Sequence, residues 1–124
     1  RVFLANIGPL ARHKPRADFT TGYFQAGGFE VISSPGFDSM EEAAAAAVDS
    51  GAKVVVMCGA DKDYPNAVPA LCRAVKDKDP GITLLLAGKP APDLEGGYRS
   101  AGMDDYIFLG QNVYEMLANL QEKA

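Results

Sequence analysis

Four potential cations fall within five residues near the start of the chain: Arg12, His13, Lys14 and Arg16. They follow Gly8-Pro9-Leu10-Ala11 and come after a short apolar run. In a net-acidic chain this segment reads as an anion or cofactor site, helped by the free N–H groups of a following helix. Its other reading is a solvated or partner-facing basic loop. His13 is the only histidine, and Cys58 and Cys72 are the only cysteines. Cys58 closes an apolar run, so Cys58 and His13 form the one Cys–His dyad on offer for thiolate chemistry. The competing reading is two buried thiols that behave as small apolar groups. A lone His without further Cys or His at a metal spacing does not build a zinc site. It could still ligate a metal already held by a cofactor's own ring.

Several familiar chemistries lack their residues. A dinucleotide fingerprint needs three spaced glycines after the first strand, and only Gly8 is there. No Walker A pattern occurs. A phospho-acceptor site needs acidic residues at the ends of strands 1 and 3 to hold a divalent metal; those places hold Asn6 and Met57-Cys58-Gly59. Asp61 and Asp63 come later and read as solvated loop residues.

The elements that must position these groups follow from periodicity. Apolar runs at residues 2–5, 29–32, 54–57, 82–86 and 106–109 are continuous rather than alternating, as expected of strands buried on both faces. Between them lie helical patterns. Met40, Ala43, Ala44, Ala47 and Val48 follow a Ser39 or Asp38 cap and stop at Gly51. Val68, Leu71, Cys72 and Val75 form a second stripe, and Val113, Met116, Leu117 and Leu120 a third, starting at Gln111 or Asn112. Phe19, Tyr23 and Ala26 mark a first helix ending at Gly27-Gly28, and Leu94, Tyr98 and Ala101 a weaker one ending at Gly102. Five βα units predict an α/β, flavodoxin-like or Rossmann-like sheet of five parallel strands, order 2-1-3-4-5, with helices on both faces. A ligand site then lies beyond the strand ends between strands 1 and 3, at loops 7–15 and 59–64. The segment 88–92 and Gly110 flank it.

The chain has 124 residues, one domain's worth, with 48% hydrophobic and 23% charged residues. That is enough to bury roughly two-thirds of its unfolded surface and argues against disorder. The net charge of −4 and the lack of a long basic stripe predict no nucleic-acid partner. The apolar runs are far short of a membrane span. Free thiols point to a reducing, cytoplasmic compartment. The chain begins Arg1-Val2-Phe3, with no Met, and is expected to be a domain of residues 1–124 cut from a longer polypeptide.

Five stretches carry a family resemblance: Phe3-Leu4-Ala5-Asn6-Ile7-Gly8, His13-Lys14-Pro15-Arg16-Ala17-Asp18-Phe19, Gly27-Gly28-Phe29-Glu30-Val31, Val54-Val55-Val56-Met57-Cys58-Gly59-Ala60-Asp61 and Leu86-Ala87-Gly88-Lys89-Pro90. The sequence resembles the C-terminal cobalamin-binding domain of methylmalonyl-CoA mutase, most of all the version in the small, non-catalytic subunit. The resemblance implies cofactor-binding positions at Gly8, His13, Cys58, Gly59 and Gly88, with His13 below cobalt. It also shows departures. In the family motif D-x-H-x-x-G, Ala11 stands for the Asp and Arg16 for the Gly. In G-x-S-x-L, Val56, Cys58 and Ala60 differ. Ala11 takes away the carboxylate that would hold the His13 tautomer, and Arg16 and Val56 add bulk where the cofactor's nucleotide tail threads.

The implied function is a degenerate cobalamin-binding-like domain. It would hold no cofactor, carry no catalytic residue and support a large catalytic mutase subunit in a heterodimer. The family uses adenosylcobalamin to interconvert methylmalonyl-CoA and succinyl-CoA. Two alternatives stay open: a working cobalamin carrier with His13 as lower axial cobalt ligand, and a stand-alone small-molecule-binding or regulatory module using the basic segment. An exposed apolar patch at Leu10 and Phe37 is expected where a partner would dock.

Overall fold

The apolar runs at 2–5, 54–57 and 82–86 become strands because both of their faces find a cover. The computed structural model describes residues 1–34, 36–108, 115–118 and 120. Its order is β1 (Val2–Asn6), α1 (Leu10–Gln25), β2 (Val31–Ile32), α2 (Met40–Asp49), β3 (Val54–Cys58), a 3-10 turn (Asp61–Asp63), α3 (Tyr64–Lys78), β4 (Thr83–Ala87), α4 (Pro92–Ala101) and β5 (Asp105–Ile107). All strand pairs are parallel and the order is β2-β1-β3-β4-β5, as expected. β1 and β3 are central, in a five-residue register from Val2↔Val54 to Asn6↔Cys58.

Alternation along the strands divides the core. Phe3, Ala5, Val55, Met57, Leu84 and Leu86 face α2, α3 and α4. Ala43, Ala44 and Ala47 are fully buried there, small side chains that let α2 lie close to the sheet. Val2, Leu4, Val54, Val56, Cys58, Leu85 and Ile107 face α1 and the helical residues 115–118 and 120. Ser39 caps α2, its hydroxyl accepting from Glu42 N–H at 3.3 Å.

Three expectations shift. The first helix starts at Leu10, not near Phe19, so the basic segment is helix rather than loop. Its buried stripe is His13, Ala17, Thr20 and Phe24, a helical spacing with two polar members that breaks the hydrophobic pattern. Pro15, read as ending a loop, sits inside α1. The second strand is Val31–Ile32 only; the chain then leaves the ladder and returns as one bridge, Ile7↔Phe37. Phe37 packs against the α2 side of the core, while Leu10 is 64% exposed. The expected positions Leu109, Gly110, Gln111, Asn112 and Val113 lie outside the described residues.

Candidate functional site at the carboxyl ends of the strands

α1 carries His13 and Arg16 at i, i+3, on one face of the helix. His13, 3% exposed, points to the sheet. Its Nδ1 lies 3.0 Å from the Gly8 carbonyl. A carbonyl only accepts, so Nδ1 bears the proton. The expectation that Ala11 leaves His13 without an orienting acceptor is therefore corrected: the Gly8 main chain takes that role, as backbone carbonyls do for metal-ligating histidines. The imidazole is covered, however. Phe37 N–H donates to Asn6 O at 2.8 Å and Gly8 N–H to Phe37 O at 3.0 Å. These bonds lay the 36–37 backbone over the end of β1. A Cβ on Gly36 would stand 1.9 Å from Gly8 O and 2.9 Å from His13 Cε1. Only glycine allows so close a crossing.

Arg16 reaches across the strand ends. Its Nη1 donates to the Gly59 carbonyl at 3.0 Å and pairs with Asp61 Oδ1 at 2.8 Å. The guanidinium carbon sits 5.4 Å from the Tyr64 ring centroid, within cation–π range. On its far side is Gly88, at φ +127°; a Cβ there would lie 3.0 Å from Arg16 Cζ. Burial works against the charge, but the Asp61 hydrogen bond and Tyr64 outweigh it and the Arg16 pKa is raised. Tyr64 ties the same strand ends together. Its hydroxyl accepts from Gly59 N–H at 3.0 Å and donates to Ala87 O at 2.7 Å. Gly59 and Gly88 are thus brought together around one guanidinium, with Gly8 and His13 under the neighbouring crossing.

The basic run is a paired one. Arg12 meets Asp63 at 3.2 Å, Lys14 meets Asp18 at 2.6 Å, and Arg16 meets Asp61. Asp61 and Asp63, read as solvated loop residues, are the counter-charges of α1. The signal was in the spacing: Arg12 and Arg16 are i, i+4 on a helix, facing two carboxylates two residues apart. Tyr64 carried no comparable signal.

Cys58 is fully buried on the α1 side. Its thiol donates to Thr20 Oγ1 at 3.5 Å. Burial pushes it up to about 12, against smaller opposing effects of Thr20 and Arg16. A thiol with that pKa is inert at neutral pH. His13 is held by Gly8 and Cys58 by Thr20, so no nucleophilic dyad forms between them. Cys72 is also buried and free. Val56 is wholly buried beside Cys58. Among the described residues, no three His, Cys, Asp or Glu side chains converge as a metal site. None of their helices is long and apolar enough to cross a membrane.

Two cavities flank these groups. One, about 380 Å3, lies between the ends of β1 and β3 and includes Arg12, Phe37, Asp38, Lys62 and Asp63. The other, about 400 Å3, lies beyond Arg16 and is formed by Pro15, Arg16, Phe19, Gly88, Lys89, Ile107 and Phe108.

Curated relatives match along nearly the whole chain. It is 33% identical over 123 residues to the methylmalonyl-CoA mutase small subunit of Streptomyces virginiae, covering 99% of this chain and 18% of that one. To the small subunit of Porphyromonas gingivalis it is 32% identical over 124 residues, covering 98% and 19%. A probable small subunit of Mycobacterium tuberculosis is 33% identical over 122 residues, covering 97% and 19%. The likeness is to the methylmalonyl-CoA mutase small subunit. The chain spans under a fifth of the length of these relatives. No protein-family model matches it. Among solved structures, it superposes on an orphan response regulator of H. pylori (TM-score 0.61, 19% identity, covering 99% of this chain and 94% of that one). A LuxR-family response regulator from Staphylococcus aureus gives TM-score 0.59 at 13% identity, covering 98% and 96%. Those two likenesses concern the fold alone.

Proposed function

We propose that this chain is a degenerate cobalamin-binding-like domain, part of a longer mutase small subunit. In this reading it binds no cofactor and contributes no catalytic residue. It supports a large catalytic subunit that interconverts methylmalonyl-CoA and succinyl-CoA, in the cytoplasm. The names of the small-subunit relatives support the assignment. The observation that carries the degeneracy is Arg16, whose guanidinium fills the space between Gly59 and Gly88 that a nucleotide tail would cross. Val56 and Cys58 occupy the floor beneath, both without solvent exposure. His13 has its tautomer set but lies under the Gly36 crossing. In this reading Arg16, Val56 and the Gly36 crossing leave the cofactor no room.

The test is a titration of the chain with aquocobalamin at about 100 μM, followed by visible spectrum and co-elution. No shift is expected, which places any binding weaker than about −5.5 kcal/mol. Stoichiometric binding that His13→Ala abolishes would overturn the proposal and make the domain a carrier.

A further inference from the structure

The cavity beyond Arg16 has a composition of its own. Its walls are Pro15, Phe19, Ile107 and Phe108, and its polar side chains are Arg16 and Lys89. Among the described residues no carboxylate lines it, in a chain of net charge −4. The other cavity, by contrast, mixes Arg12 and Lys62 with Asp38 and Asp63. Lys89 is exposed and holds its ammonium 5.2 Å from the Phe108 ring centroid. Arg16 spends its Nη1 on Gly59 and Asp61. A volume of about 400 Å3 with apolar walls and a few convergent polar groups is the usual make-up of a small-molecule site.

We infer that this cavity binds a small organic anion with a flat or branched apolar body, the body between Phe19, Pro15 and Phe108 and the carboxylate at Lys89, beside Arg16. Asp61 already shares the Arg16 charge, so Lys89 is the main discriminator against neutral and cationic ligands, because a carboxylate gains a charge-assisted hydrogen bond there. The inference deepens the proposed function and rests on its reading of Arg16 as a fixed wall: the closed slot leaves an outer remnant with ligand chemistry different from cobalamin's.

The probe is 2-naphthoate, with 2-naphthalenemethanol as its neutral counterpart, titrated into the chain by calorimetry and ligand-observed NMR. The expected affinity is millimolar or tighter, the range for a ligand of about 13 non-hydrogen atoms. The alcohol should bind roughly tenfold more weakly, the effect of one lost charge-assisted hydrogen bond. Lys89→Gln should weaken naphthoate by a similar factor, and Lys62→Gln at the other cavity should not. Absence of naphthoate binding at about 5 mM, equal binding of the alcohol, or indifference to Lys89→Gln would each overturn the inference. The cobalamin titration on the same samples keeps the two ideas apart. No binding of either ligand sinks this inference alone, whereas cobalamin binding sinks the proposed function.

Discussion

The two faces of the sheet are built from different materials. Toward α2 and α3, the helices bring Ala43, Ala44, Ala47, Val68, Leu71 and Val75, all close to fully buried. Toward α1 the helix brings His13 and Thr20, and the sheet brings Cys58; Asn6 follows Val2 and Leu4 in the same alternation. The buried Asn6 is tied to Ser34 O at 2.8 Å, and its Oδ1 finds no partner. An orphaned buried oxygen costs free energy. The opposite face has an orphan as well, the Tyr98 hydroxyl, but the buried Asn, His and Thr among the described residues are Asn6, His13 and Thr20. The α1 face is the one that concentrates buried polar side chains, and it is the face Arg16 seals.

Mutation separates the two faces. Leu71→Ala, on the apolar face, should have the largest effect, about 2–5 kcal/mol in chemical denaturation, from lost transfer energy and a residual cavity. A loss below about 1 kcal/mol would mean that this face is not close-packed.

The thiols sample both faces at once. Burial pushes Cys58 and Cys72 each up to about 12 from an ordinary value of 9.0. Above pH 9 the unfolded chain loses these protons and the native one keeps them. Stability should therefore be unaffected below pH 9 and fall as pH rises from 9 toward 12, by roughly 1 kcal/mol per pH unit for each thiol. Replacing Cys58 by Val should remove its half of that slope, read from urea midpoints across the alkaline range. An unchanged slope in Cys58→Val would place the thiol in water.

The smallest effect belongs to the seal. Asp61 is 77% exposed, so its pair with Arg16 is screened. Asp61→Asn should cost at most about 1 kcal/mol, and less at high salt. Arg16 should stay in place on Gly59 and Tyr64, visible as continued exclusion of cobalamin.

The sheet was legible because doubly buried strands write continuous apolar runs, and because Ser39, Gly51 and Gly102 punctuate the helices as their chemistry dictates. α1 escapes the pattern for the same reason that it is informative. His13 and Thr20 stand where a stripe needs apolar residues, and Pro15 and the charges around it imitate a loop. Which acids the cations meet depended on a turn that brings Asp61 and Asp63 back over the helix. Tyr64 bridges two strand ends through its hydroxyl, and no sequence period encodes that.

The crossing at Gly36 has a consequence for assembly. Val2↔Val31 and Phe3↔Ile32 are offset by 29 positions, and Ile7↔Phe37 by 30. One extra residue has entered the outer strand, the arithmetic of a bulge. That edge offers two paired residues, a gap and a single return, and the opposite edge, β5, is three residues long. Among the described residues, neither border is a long flat ladder onto which a foreign strand could add. A polypeptide docking at either border would meet side chains rather than an open ladder of backbone groups.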